Sequence, residues 1–281
     1  MAANRFRIFI LLGFPTLVII VFFIAPLAVT ALSSVFSGQQ GITLDNYVKI
    51  VSTPRYLSAL VSTMRISLLV AAFSLVLGYI IAYYMVMVLQ SKLSRRIAYV
   101  IVILPLFTSN IVRSFGFMII LGRSGFLNDT LLQLGLIERP LRILYTEASV
   151  VIGLTYICLP FVVLAVVASL QSIDKSLFQA STDLGGDAWS TFWNVTWPLS
   201  LPGVLGGTVI AFTISVSAYV TPSVMLGGRG SVMSIVIYDQ YMAAMNFNFG
   251  AALAVALTIT ALVLMVFQST VMERKLKWAR T

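Results

Sequence analysis

The sequence predicts an all-α membrane protein of six transmembrane helices, on three observations: composition, the lengths of the apolar runs and the placement of basic residues. Of its 281 residues 59% are hydrophobic and 10% charged, and mean hydropathy is +1.01; a soluble domain is about 25% charged. The 18 Lys and Arg with 9 Asp and Glu cannot clothe a water-facing surface of this size, so lipid must cover most of it.

Six apolar runs, near residues 8–32, 61–88, 97–121, 149–170, 203–226 and 249–271, each match the roughly 20 helical residues that cross a hydrocarbon core. They read as helices because lipid leaves backbone polar groups no outside partner, and because they lack the alternation of barrel strands. The first run follows Arg5 and Arg7 and contains the small residues Ala25 and Ala28, as a secretory signal would. At about 25 residues it exceeds the roughly 7–15 of a signal core and reads as a retained span. Pro15, Pro26, Gly78, Pro105, Pro160, Gly206, Gly207 and Pro222 punctuate the runs. They allow the kinks and close approaches that a moving pathway needs, and they are also common in membrane helices generally.

Six spans put both termini on one side. Arg5, Arg7, Lys92, Arg95, Arg96, Lys175, Arg274, Lys275, Lys277 and Arg280 fall in the tails and even-numbered loops; Lys49, Arg55, Arg123, Arg139, Arg142 and Arg229 fall in the others. The first set is about twice as dense, so both termini are expected in the cytoplasm. Arg65 and Arg113, within or near spans, read as snorkelling toward an interface. The expected organisation is residues 1–58 as the first helix and first periplasmic loop, 59–271 as a five-helix core and 272–281 as a cytoplasmic tail.

Several chemistries are excluded. With no histidine, imidazole bases, Ser-His-Asp triads and most zinc sites are gone. The lone Cys158 sits inside an apolar run and can form no internal disulfide. Gly227-Gly228-Arg229-Gly230-Ser231 lacks the lysine and the spacing of a phosphate-binding loop. The net charge of +9 is scattered over segment ends, which reads as membrane charge bias rather than a nucleic-acid surface. Any nucleotide hydrolysis belongs to another chain.

The expected cytoplasmic loop at 171–202 carries the most information. Asp174 suits an N-cap, Gly185-Gly186 a helix stop, Asp187 a second N-cap, and Pro198 a terminator of that second helix. On the first helix Leu177, Ala180, Ser181 and Leu184 share one face, small in the middle, where another protein's groove could approach the backbone. On the second, Trp189, Phe192, Trp193 and Thr196 share a face suited to packing on the first helix or at the membrane interface. Periodicity alone leaves an interfacial linker without a partner equally open.

Gln179-Ala180-Ser181, then Gly185 after three intervening residues, then Val195-Thr196-Trp197-Pro198 after nine more and Pro202-Gly203 resemble the EAA-loop signature of ABC importer permeases. Leu104-Pro105-Leu106-Phe107-Thr108-Ser109, Ile111-Val112-Arg113, Gly125-Phe126-Leu127-Asn128, Pro140-Leu141-Arg142-Ile143, Ile173-Asp174-Lys175, Ala218-Tyr219-Val220-Thr221-Pro222 and Phe249-Gly250-Ala251-Ala252 resemble the putrescine/spermidine-type permeases. The first of the two permeases is the more similar. Gln179 stands where the signature has glutamate and Ser181 where it has a second alanine; Asp183 and Asp187 are nearby acids that could compensate for the lost charge.

The resemblance implies the type I (MetI-like) ABC importer permease architecture in the bacterial inner membrane, and a transport subunit rather than an enzyme. It implies Leu177, Gln179, Ala180, Ser181, Asp183, Leu184, Gly185, Asp187 and Pro198 as the element coupled to an ATPase. The implied partners are a second, homologous permease in a heterodimer, two ATPase subunits that carry ATP and magnesium, a periplasmic solute-binding protein and membrane lipid; no cofactor or metal is expected on this chain, and no nucleic acid. For a polyamine, Tyr238, Asp239 and Tyr241 offer aromatic faces and an acceptor, though an aromatic belt with a solvated aspartate accounts for them as well. Ser215, Ser217 and Tyr219 are further pathway candidates. Related permeases act on iron, opines, phosphonates or thiamine, and an ion-gradient-driven transporter would need intramembrane acids that the sequence does not offer.

Overall fold

The computed structural model describes residues 13, 15–37, 41–228 and 232–278, and only the backbone of 37 and 271–278. Arg5, Arg7, Arg229, Gly230, Ser231 and Arg280 lie outside the described residues. In chain order the elements are α1 (Pro15–Ser34), β1 (Phe36–Ser37), β2 (Gly41–Ile42), α2 (Asp45–Ser52), α3 (Pro54–Val88), α4 (Lys92–Phe107), α5 (Asn110–Leu121) and α6 (Phe126–Gln133). There follow α7 (Glu147–Gln171), α8 (Lys175–Asp183), α9 (Ala188–Ser217), α10 (Val220–Leu226), α11 (Met233–Met242) and α12 (Phe247–Trp278). The strands form a small antiparallel hairpin, with Phe36 opposite Ile42.

Among the described residues five helices, α1, α3, α7, α9 and α12, are long and apolar enough to cross a membrane, and a bent pair brings the number to six when it is counted as one broken span. That pair corrects the expectation of one continuous helix over 97–121. The segments Lys92–Phe107 and Asn110–Gln133 meet at 101°. Pro105 interrupts the hydrogen-bond ladder, Thr108 and Ser109 take extended backbone, and the Ser109 hydroxyl accepts from the Ile111 N–H at 3.3 Å to start α5.

Two further boundaries differ from the sequence reading. The 203–226 run is two helices, because Ala218 is extended (φ −66°, ψ 126°) and α10 starts separately after it. At its other end α9 begins at Ala188 and runs on through Pro198, which therefore does not terminate it. A π-helical turn over Phe192–Thr196 leaves Pro198 in the first turn of the α-helical segment that follows, where a missing N–H costs little.

The chain divides into two compact units, each described alone. In Leu60–Ile235, with the residues from Ala261 onward, the core is the α7–α9 pair. Gly203 makes it possible: a Cβ there would lie 2.5 Å from the Ala165 carbonyl oxygen, so only a bare backbone fits. Val162, Val166, Val204, Ala211 and Phe212 close the seam and are almost fully buried. In the other unit, residues up to Ala59 with Val236–Thr260, the Asn46 side chain donates to the carbonyls of Ser34 (3.1 Å) and Phe36 (3.2 Å) and pins α2 to the end of α1. Buried Phe249 holds Tyr56 edge-on at 5.0 Å and the Lys49 ammonium over its ring at 4.4 Å.

Candidate functional site: the exposed helix between α7 and α9

Short local bonds build α8. Asp174 accepts the Ser176 N–H at 2.9 Å, and this bond holds its carboxyl below the usual range. At the far end Gly185 has φ +79°, which glycine reaches without strain. The Gly185 N–H donates to Thr182 O at 2.9 Å and the Gly186 N–H to Ser181 O at 2.8 Å, the paired bonds of a Schellman stop. Asp187 then accepts the Ser190 N–H at 2.7 Å and opens α9. Two helices thus meet at a corner whose cap and stop bonds are all local.

The corner stands on a rigid base. Phe192 packs at 5.3 Å from Trp193 and 5.7 Å from Tyr83, and Trp197 at 5.2 Å from Tyr79. The Tyr79 and Ser200 hydroxyls share a 3.0 Å hydrogen bond and Thr196 is buried, so the start of α9 is anchored to α3. Ser181, expected on the outward face, instead shares a 2.8 Å hydrogen bond with the Thr191 hydroxyl and ties α8 to α9. Leu177, Gln179, Ala180, Asp183, Leu184, Gly185 and Asp187 are exposed, and Pro198 is half-buried. Leu184 is 89% exposed, so none of the described residues covers the apolar end of this helix.

The expected pathway residues scatter. Ser215 is buried, donates to Ala211 O at 2.7 Å and faces Cys158 across the α7–α9 seam. Ser217 is exposed and Tyr219 half-buried. Tyr238, Asp239 and Tyr241 all lie on α11, but Tyr241 turns into its own unit, edge-on to Phe247 at 5.8 Å, and burial raises its hydroxyl above the usual range. Tyr238 is exposed.

The sequence reading missed the role of Arg113. Its guanidinium donates to the carbonyls of Pro105 and Thr108 (2.9 Å to the latter) and to Asn110 Oδ1 (3.1 Å), and it lies 5.7 Å from the Tyr156 ring. It therefore caps the carbonyls freed by the 101° bend rather than snorkelling. The signal was present: a proline, then Thr-Ser-Asn, then a cation three residues into a new helix. Arg65 likewise pairs with Glu147.

Residues 74–277, which include α8 and its aromatic base, match the family described as binding-protein-dependent transport system inner membrane component. The chain belongs to this family. It is 34% identical over 226 residues to the spermidine/putrescine transport system permease protein PotB of Escherichia coli (strain K12), covering 80% of this chain and 81% of that one. It is also 34% identical over 217 residues to PotB of Salmonella typhimurium (strain SL1344), covering 77% and 75%. The solved structure of a bacterial alginate ABC transporter in complex with alginate pentasaccharide-bound periplasmic protein contains a chain that superposes with a TM-score of 0.76 at 19% identity, covering 98% and 96%. At that identity the likeness is one of fold. This family member is a multi-pass inner-membrane transport subunit of ABC permease architecture, not an enzyme.

Proposed function

We propose that this chain is one membrane half of an ATP-driven importer for polyamines of the putrescine and spermidine class. The observation that carries the coupling role is α8: a helix capped at both ends, with no buried residue and with Leu177 and Leu184 exposed, on a chain whose sequence holds no GxxxxGK(S/T) phosphate-binding loop. Such a helix suits insertion into a groove on a partner. In this reading two ATPase subunits hold ATP and magnesium and each receives one such helix, a second and homologous permease completes the pathway, and a periplasmic solute-binding protein delivers the solute. The bias of Lys and Arg assigns the termini and α8 to the cytoplasm.

The structure suggests how a push on α8 would travel. Closure of the ATPase dimer displaces α8, the glycine corner and the Ser181–Thr191 bond pass the movement to α9, and α9 runs as one helix from Ala188 into the membrane. Loop and span form one lever, as rocking between inward-open and outward-open states requires. Support for the polyamine assignment is the 34% identity to the two PotB relatives.

The test is ATP hydrolysis by the purified complex in nanodiscs, with binding protein loaded with putrescine, spermidine or unrelated solutes. Stimulation by the polyamine-loaded forms alone is expected. Stimulation only by a phosphonate- or iron-loaded form would reassign the solute, and gradient-driven uptake by the chain alone would overturn the ATP-driven reading.

A further inference from the structure

Away from α8, the loop between α5 and α7 holds a pocket of about 370 Å³ lined by Leu121, Arg123, Leu141, Arg142, Leu144 and Tyr145. Two arginines line it, and neither forms an ion pair among the described residues, where Arg65–Glu147 is the pair present. The acids of the same loop, Asp129 and Glu138, do not line it.

The arginines are held together by design of the backbone around them. Asn128 is fully buried, and its amide donates to Gly122 O at 2.9 Å and to Leu141 O at 3.0 Å while its carbonyl oxygen accepts the Leu141 N–H at 2.7 Å. Gly122 and Leu141 immediately precede Arg123 and Arg142, so one clamp sets the spacing of the backbone from which both cations project. Tyr145 sits in the left-handed region at φ +66°, and its N–H is bonded to Met225 O at 3.1 Å. A non-glycine residue keeps that conformation only where its surroundings over-determine it. The cations are therefore presented from a stiff frame, which lowers the ordering cost of binding an anion.

We propose that this pocket is a docking socket for carboxylate side chains of the solute-binding protein. The inference rests on the importer reading above, which puts the loop on the outer side. A cationic solute would be repelled there, and the negative surface potential that draws basic segments to lipid belongs to the cytoplasmic leaflet. The binding protein is the macromolecule that reaches this face, and rim charges of this kind govern its association rate and salt dependence.

The experiment uses the assembled complex in nanodiscs and the binding protein that stimulates its hydrolysis, with co-purification of the ATPase as the folding control. R123Q/R142Q should raise the dissociation constant of the binding protein about tenfold at low salt and R123E/R142E about a hundredfold, both gaps narrowing as salt rises; R123K/R142K should stay near the wild type. Saturating binding protein should restore the full stimulated rate. Unchanged affinity and salt slope in an assembled complex would overturn the socket, and so would an effect that follows the phosphatidylglycerol content of the nanodisc, which would mark a lipid site. If no binding protein stimulates even the wild-type complex, the importer reading itself falls, an outcome visible without any variant.

Discussion

The α7–α9 pair and the helix α8 beside it are both rigid, for opposite reasons. The pair is rigid because it is packed: Gly203 lets the backbones meet, and Val162, Val166, Val204 and Phe212 lose nearly all contact with the outside. Helix α8 has no buried residue and is held by its ends, through Asp174, the Gly185 stop, the Ser181–Thr191 bond and the Asp187 cap on the next helix. Apolar burial stabilises by about 25 cal/mol per Å². The pair has collected that term within the chain, whereas α8 leaves Leu177 and Leu184 outside. A helix that keeps its shape without burial is free to be buried against another chain, which is the role proposed for α8.

The contrast can be broken in order of expected effect. Gly203→Leu drives a side chain into the Ala165 carbonyl; no assembled complex should survive detergent extraction, and a normally assembled variant would refute the close-packing account. Gly185→Pro cannot take φ +79°. It should insert and assemble with its partner permease yet lose at least tenfold in solute-stimulated ATP hydrolysis, and normal transport would end the coupling role of the corner.

Leu184→Ala removes an exposed side chain and should shift the melting temperature within error, as surface changes stay within about 0.5 kcal/mol. Stimulated hydrolysis should nevertheless fall several-fold, because the lost contact is with the partner; a loss of stability instead would mean that α8 is packed in this chain after all. The smallest effect concerns pH. The Ser176 N–H favours the charged form of Asp174 and lowers its pKa. The contribution of this cap is therefore complete above the unfolded value of about 3.9 and is lost as pH falls through the lower folded value. Amide exchange at Ser176 and Leu177 should be flat from pH 8 to pH 5, after correction for intrinsic rates, and loosen only below about pH 4; loosening near neutrality would assign the cap to another group.

Much of α8 and its corner was legible because its determinants are local. Asp174, Gly185 and Asp187 act within five residues of themselves, so cap and stop chemistry located both helix ends. Pro198 misled for the same reason: it reads as a terminator when considered alone, and only the π-helical turn before it makes the proline harmless. Ser181 was read outward because periodicity reports a face and not what stands opposite it. Arg113 and Asn128 were missed as organisers, since each acts through carbonyls that a bend or a loop brings close.

By itself the sequence determined the solvent, the number and approximate extent of the apolar runs, the absence of histidine chemistry and the local caps of α8. Each of these is a property of composition or of residues a turn apart. Tertiary structure alone decided that the third run breaks at 101°, that α9 runs unbroken from the loop into the span, that Ser215 lies in a seam, and that Arg123 and Arg142 line one pocket. Those outcomes turn on which carbonyl, ring or backbone arrives from elsewhere in the chain, and apolar periodicity carries no record of it.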